Sequence, residues 1–73
     1  MKREHKAALD RLFYYYHKVP ESRIEEFAER AKLDAQKVRL ALKVGVEAGY
    51  LQREQFSKET YYAVSRKRKT QSL

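Results

Sequence analysis

A chain of 73 residues with 17 Lys and Arg against 10 Asp and Glu, and no cysteine, leaves few architectures open. One small domain is expected, burying only about 60% of its unfolded surface. Disulfides and zinc–thiolate sites are excluded, so tight helical packing or oligomerisation must supply the stability.

The first element is expected over residues 3–17, "REHKAALDRLFYYYH", where His5, Leu9, Leu12, Phe13 and Tyr16 fall on one stripe at helical spacing. Pro20 disfavours helix at Val19 and sets up an extended break. Ser22 and Glu25 have the spacing of a capping box, which opens a second helix from about Arg23 to Lys32. That helix buries Ile24, Phe27, Ala28 and Ala31 and turns Glu25, Glu26, Glu29 and Arg30 outward. A third helix starts after Asp34, a fair N-cap, and runs to about Ala48, with Gly49 as a left-handed C′ residue.

From Tyr50 the period changes. "YLQRE" (50–54) and "TYYAV" (60–64) are rich in β-formers and flank a polar five-residue connection, "QFSKE", which predicts a two-stranded hairpin. The closing "RKRKTQSL" (66–73) reads as a basic tail outside the folded part, residues 1–65.

On a helical wheel, Val38, Ala41, Leu42, Gly45 and Gly49 share the inner side of the third helix. Gly costs about 1 kcal/mol in a helix interior, so Gly45 signals a close neighbour, expected to be the first helix with Phe13 and Tyr16. The opposite side carries Gln36, Arg39, Leu40, Lys43 and Glu47, with Lys37 at its edge. Arg can reach guanine edges, Gln can pair with adenine, and an apolar side chain can touch a thymine methyl. The plain alternative is a solvated face with one stray leucine.

Charge is unevenly placed. Residues 1–33 carry eight Lys/Arg and six Asp/Glu (+2), residues 34–51 three and two (+1), and residues 52–73 six and two (+4). A surplus gathered at one end favours a polyanionic partner, either nucleic acid or an anionic membrane surface. No apolar run approaches the roughly 18 residues of a membrane span, and "MKREHK" is not followed by a signal-peptide core. The absence of Asn, the single Met and the abundance of Lys, Arg, Glu and Tyr lean towards thermophile usage.

Helix, extended break, helix, turn, helix, hairpin and basic residues is the order of a winged helix-turn-helix, mainly α with a small β-hairpin. "FAERAKLDAQKVRLALKVGVEAGYLQRE" (27–54) moreover resembles winged helix-turn-helix transcription regulators of the multiple-antibiotic-resistance and arsenical-resistance repressor types. The matching positions are Phe27-Ala28-Glu29 on the second helix, Leu33-Asp34 at the turn, and Val38 with Leu42 on the third helix. Glu47-Ala48-Gly49-Tyr50 at its end and Tyr62-Ala63-Val64-Ser65 on the last strand complete them. The likeness covers roughly residues 19–65, and agreement in register carries it, since no single motif is specific. Gly45 stands where the family usually has a large aliphatic residue, and Leu40 where it often has a polar or basic one.

The resemblance implies a sequence-specific regulator of double-stranded DNA, most simply a repressor, acting at the nucleoid or in the nucleus of a eukaryote. Gln36, Lys37, Arg39, Leu40 and Lys43 would face the major groove. Lys58 at the wing tip and Arg53 on its first strand would touch backbone or minor groove, and Arg66, Lys67, Arg68 and Lys69 would attract phosphates. An RNA-binding or architectural winged helix, or a winged-helix protein–protein module, is the alternative.

Tyr14 and Tyr15 point away from the apolar stripe of the first helix, which suits a half-wet interface and predicts a homodimer through that helix; the alternative is that they cover the outside of the fold or the tail. No metal, cofactor or small-molecule effector is expected. His5 and His17 stand twelve apart with no acidic cluster between them and the serines lack a triad setting, so enzyme chemistry is not expected.

Overall fold

The computed structural model describes residues 2–65, which form three α-helices and a three-stranded antiparallel sheet, an α+β arrangement. Helix α1 spans Arg3–Tyr15, α2 Ile24–Arg30 and α3 Ala35–Glu47; strands are β1 (Val19–Pro20), β2 (Leu51–Phe56) and β3 (Glu59–Val64). No described helix is long and apolar enough to cross a membrane.

The interior follows from the helical periods. Leu9 and Leu12 from α1, Ile24 and Ala28 from α2, and Val38, Ala41 and Leu42 from α3 are buried together with Val19, Ala31 and Leu51. No polar or charged residue is buried among them. Phe13, Tyr16 and Phe27 close the edge of this core, with the Tyr16 and Phe27 rings 4.6 Å apart. His5 is only half-buried at the end of the α1 stripe.

Two helix ends are built alike. After α2, Lys32 N–H donates to the Glu29 carbonyl (3.0 Å) and Leu33 N–H to that of Ala28 (2.8 Å). After α3, Gly49 N–H donates to Val46 (3.1 Å) and Tyr50 N–H to Gly45 (2.9 Å). Both pairs are Schellman closures, which need a left-handed residue at C′. Gly49 (φ 80°) takes that conformation without strain, whereas Lys32 (φ 61°) takes it against the preference of an L side chain. Gly49 is exposed, with nothing within 4 Å of a built Cβ, so it does not belong to the inner side of α3 as the wheel had it.

Gly45 does mark a close approach, but its neighbours differ from those expected. A Cβ there would lie 2.8 Å from Leu51 Cδ1 and 3.0 Å from Leu9 Cδ1, so Leu9 of α1 and Leu51 of β2 meet over it instead of Phe13 and Tyr16. Sequence spacing identifies the groove and cannot say which side chain fills it.

The sheet has three strands where two were expected, in the order β1-β3-β2. The break before α2 is extended, as the residue before a proline must be, and Val19 and Pro20 pair with Tyr62 and Tyr61. A two-residue strand containing proline is too short to show a period, and its edge position spares Pro20 the N–H it lacks. The expected capping box is also absent. Glu21–Arg23 forms a turn of 3-10 helix and α2 has no side-chain cap, because Ser22 Oγ instead donates to Glu59 Oε2 on β3. Tyr62 Oη donates to Glu21 Oε1 at 2.8 Å, a second tie between this segment and β3.

The hairpin connection is tighter than its sequence suggests. Phe56 pairs with Glu59, leaving only Ser57 and Lys58 in the turn, both at positive φ (51° and 66°). That is the pattern of a type I′ turn, which matches strand twist but favours Asn and Gly over these residues.

Candidate nucleic-acid interface

Helix α3 is held on its inner side by Val38, Ala41, Leu42 and Gly45, which fixes what its other side presents. Its first turn is pinned by Asp34, whose Oδ1 accepts from Gln36 N–H at 2.9 Å. Its last turn is closed by Gly49. Gln36, Lys37, Arg39, Leu40 and Lys43 are all exposed, Leu40 by 51%. At 100° per residue, Gln36, Arg39, Leu40 and Lys43 fall within an arc of about 100°, with Lys37 about 60° beyond its edge. From Gln36 to Lys43 the rise is about 10 Å, a length that fits within a major groove about 12 Å wide.

The charges on this face are not equivalent. Among the described residues, neither Lys37 nor Lys43 is in an ion pair. Arg39 is: its Nη2 lies 3.0 Å from Oε2 of Glu25 on α2. The spacing of α2 shows Glu25 as part of an outward acidic face, but a contact between helices depends on how they cross, which no spacing encodes. Glu26 is engaged more locally, by Arg23 (2.8 Å) and Arg30 (2.9 Å). Those arginines hold its carboxyl below the usual range, chiefly through the Arg23 hydrogen bonds.

Arg53 and Lys58 lie on the hairpin that leaves α3 through Ala48–Tyr50. Both are exposed, Lys58 within the tight turn. Arg53 sits opposite Tyr62 in the β2–β3 register. The Tyr62 hydroxyl is pushed above its ordinary range by burial and then by its bond to Glu21, while Arg53 acts in the opposite direction. Arg53 therefore has its charge beside this tyrosine as well as towards solvent. Arg66, Lys67, Arg68 and Lys69 lie outside the described residues.

Two exposed features went unremarked in the sequence. Phe56, at the end of β2, is 68% exposed. A cleft of about 560 Å³ lies between the end of α1 and the sheet, lined by Phe13, Tyr16 and His17 on one side and Gln52, Ala63 and Ser65 on the other. Lys18 and Glu54 pair across it at 2.6 Å. Tyr14 and Tyr15 are 81% and 60% exposed, their rings edge to face at 5.1 Å. No group of three or more His, Asp or Glu among the described residues is placed to share a metal ion.

No family model, no curated protein and no solved structure matches the chain.

Proposed function

We propose that this chain is a winged helix-turn-helix protein that binds double-stranded DNA, with α3 in the major groove and the β2–β3 hairpin as its wing. The observation that carries the reading is the α3 face. A rigidly seated helix turns Gln36, Lys37, Arg39, Leu40 and Lys43 to solvent, with two lysines outside any ion pair among the described residues. Helices α2 and α3, joined by a four-residue turn, stand in the order such a motif requires. The hairpin follows directly and presents Lys58 at its tip.

In this reading Arg39 supplies base discrimination, because a guanidinium can bond two acceptors of guanine at once, while Lys37, Lys43 and Lys58 contact phosphates. The basic residues 66–69 add sequence-independent attraction and steepen the salt dependence. The simplest action for such a DNA-binding domain is to occupy its site, as a repressor does.

The test is selection of bound sequences from random duplexes near physiological salt, followed by Arg39→Ala. An enriched motif whose preference at one base pair collapses by about 1–3 kcal/mol in the variant supports the proposal. Uniform weakening across all sequences refutes the role given to Arg39, and stronger retention of structured RNA than of any duplex refutes the DNA reading. A protein–protein module with this fold would show no duplex binding even at low salt.

The exposed Tyr14–Tyr15 pair supports a homodimer through α1, since tyrosine suits a contact with one wet side. A palindromic selected motif and a dimer mass in equilibrium sedimentation at tens of micromolar are the expected results; a monomer mass there removes the dimer.

A further inference from the structure

We infer that Glu25 is a positioning residue for Arg39, reaching from α2 to hold the guanidinium in the pose from which α3 discriminates between base sequences. The inference rests on the DNA-binding reading of α3 and adds a specificity determinant that is not itself on the reading helix.

The acidic side chains of α2 divide their work. Glu26 takes Arg23 and Arg30 at spacings of three and four residues, contacts that the helix makes with its own surface. Glu25 takes an arginine from a different element, with 3.0 Å between Glu25 Oε2 and Arg39 Nη2. The backbones beneath the pair are fixed independently. Ile24 and Ala28 anchor α2, Val38 and Leu42 anchor α3, and the Lys32 closure and the Asp34 cap set the turn between them. What remains free at Arg39 is its long side chain, and Glu25 restrains it. The guanidinium has five N–H donors, more than one carboxylate can engage, so part of the fork stays available to a base edge.

Charge alone argues against such a residue here. A carboxylate within a Debye length of about 8 Å of a phosphate backbone repels every duplex, whatever its sequence. A surface shaped only for affinity does better with glutamine. Holding the guanidinium in place benefits only the duplex that offers the right acceptors, because it reduces the rotamer freedom lost on docking. The two effects therefore appear in different measurements, one in affinity for any DNA and one in the ratio of cognate to scrambled DNA. An exposed ion pair biases an equilibrium by about two- to fivefold, which sets the size of both.

The experiment uses Glu25→Gln, Arg39→Ala and the double variant in the full chain, with two readouts. In the free protein, ¹⁵N relaxation at Arg39 Nε is expected to show an ordered side chain that becomes mobile in Glu25→Gln; equal mobility in both overturns the inference without reference to DNA. In competition binding near physiological salt, Glu25→Gln is expected to tighten a scrambled duplex about two- to fivefold and to lower the cognate-to-scrambled ratio about two- to fivefold. The same change is expected to leave the ratio unaltered when Arg39 is already alanine. Equal tightening on both duplexes, or an unchanged drop in the ratio on the Arg39→Ala background, overturns it. A wild-type chain that binds both duplexes equally, with the relaxation difference intact, overturns base reading itself and the positioning role with it. That outcome is distinct from the loss of the tether.

Discussion

Lys32 sits at the joint between α2 and α3, in a backbone conformation that glycine adopts freely, and replacing it should stabilise the fold. Its φ of 61° closes the same pair of hydrogen bonds that Gly49 closes at φ 80° after α3. Holding an L side chain there costs about 1–2 kcal/mol. Glycine removes that cost but loosens the unfolded chain by about 0.4–1 kcal/mol. Taking the middle of each range, the net gain for Lys32→Gly is about 0.8 kcal/mol, or roughly 3–6 °C in Tm for a domain of this size. Lys32→Ala is the control, because it removes the same charge and leaves the strain in place. Thermal unfolding followed by circular dichroism should rank glycine above both alanine and the wild type. Alanine matching glycine would mean that charge, and not backbone geometry, governs this position. Gly49→Ala should move the other way, losing about 0.8 kcal/mol by the same balance even though a built Cβ meets nothing within 4 Å. A neutral result there would undermine the common explanation of both helix ends.

Gly45→Ala should destabilise by about 1 kcal/mol, as overpacking of about 1–3 kcal/mol against Leu51 and Leu9 outweighs a gain of about 1 kcal/mol in helix propensity; a raised midpoint in urea would contradict this. Replacing Ser57-Lys58 by Asn-Gly should add about 1–2 kcal/mol by relieving two positive φ values. If Lys58 contacts a phosphate, the same change should weaken all duplexes alike and reduce the salt slope by about 1. Tyr62 is held neutral in the fold beyond its ordinary 10.0, first by burial and then by its hydrogen bond to Glu21. Its contribution is thus complete below pH 10 and is lost as pH rises through the folded value. Tyr62→Phe should flatten the alkaline fall in stability, and an unchanged curve in the variant would exclude that source. Asp10 behaves in the opposite sense. Burial raises its carboxyl, but the hydrogen bonds from Lys6 and Tyr50 outweigh that and keep it below 3.8, so acid should erode stability from that value downward.

The helices were legible because burying Leu9, Leu12, Val38 and Leu42 on one side of each helix repeats at 3.6 residues, and nothing in this small core disturbs that repeat. Gly49 was legible as a C′ residue, whereas its counterpart Lys32 was not, because lysine carries no signal for a left-handed conformation. Ser22 illustrates the opposite error. Its spacing to Glu25 fits a local cap, but Glu59, 37 residues away, accepts from its hydroxyl instead. Strand β1 escaped because two residues have no period, and its partner is known only once β3 is in place. At the α3 face, the exposed side chains could be listed from the wheel. The Glu25–Arg39 contact could not, since it arises from the crossing of two helices.

The sheet order leaves two unequal borders. On one side β1 offers only two residues, one of them a proline that has no hydrogen to give an incoming strand. On the other, β2 runs Leu-Gln-Arg-Glu-Gln-Phe, so a parallel second copy in register would set arginine on arginine and glutamate on glutamate, whereas an antiparallel one would set Arg53 against Glu54. One flank is short of donors, and the charges of the other select the direction from which a like strand can approach.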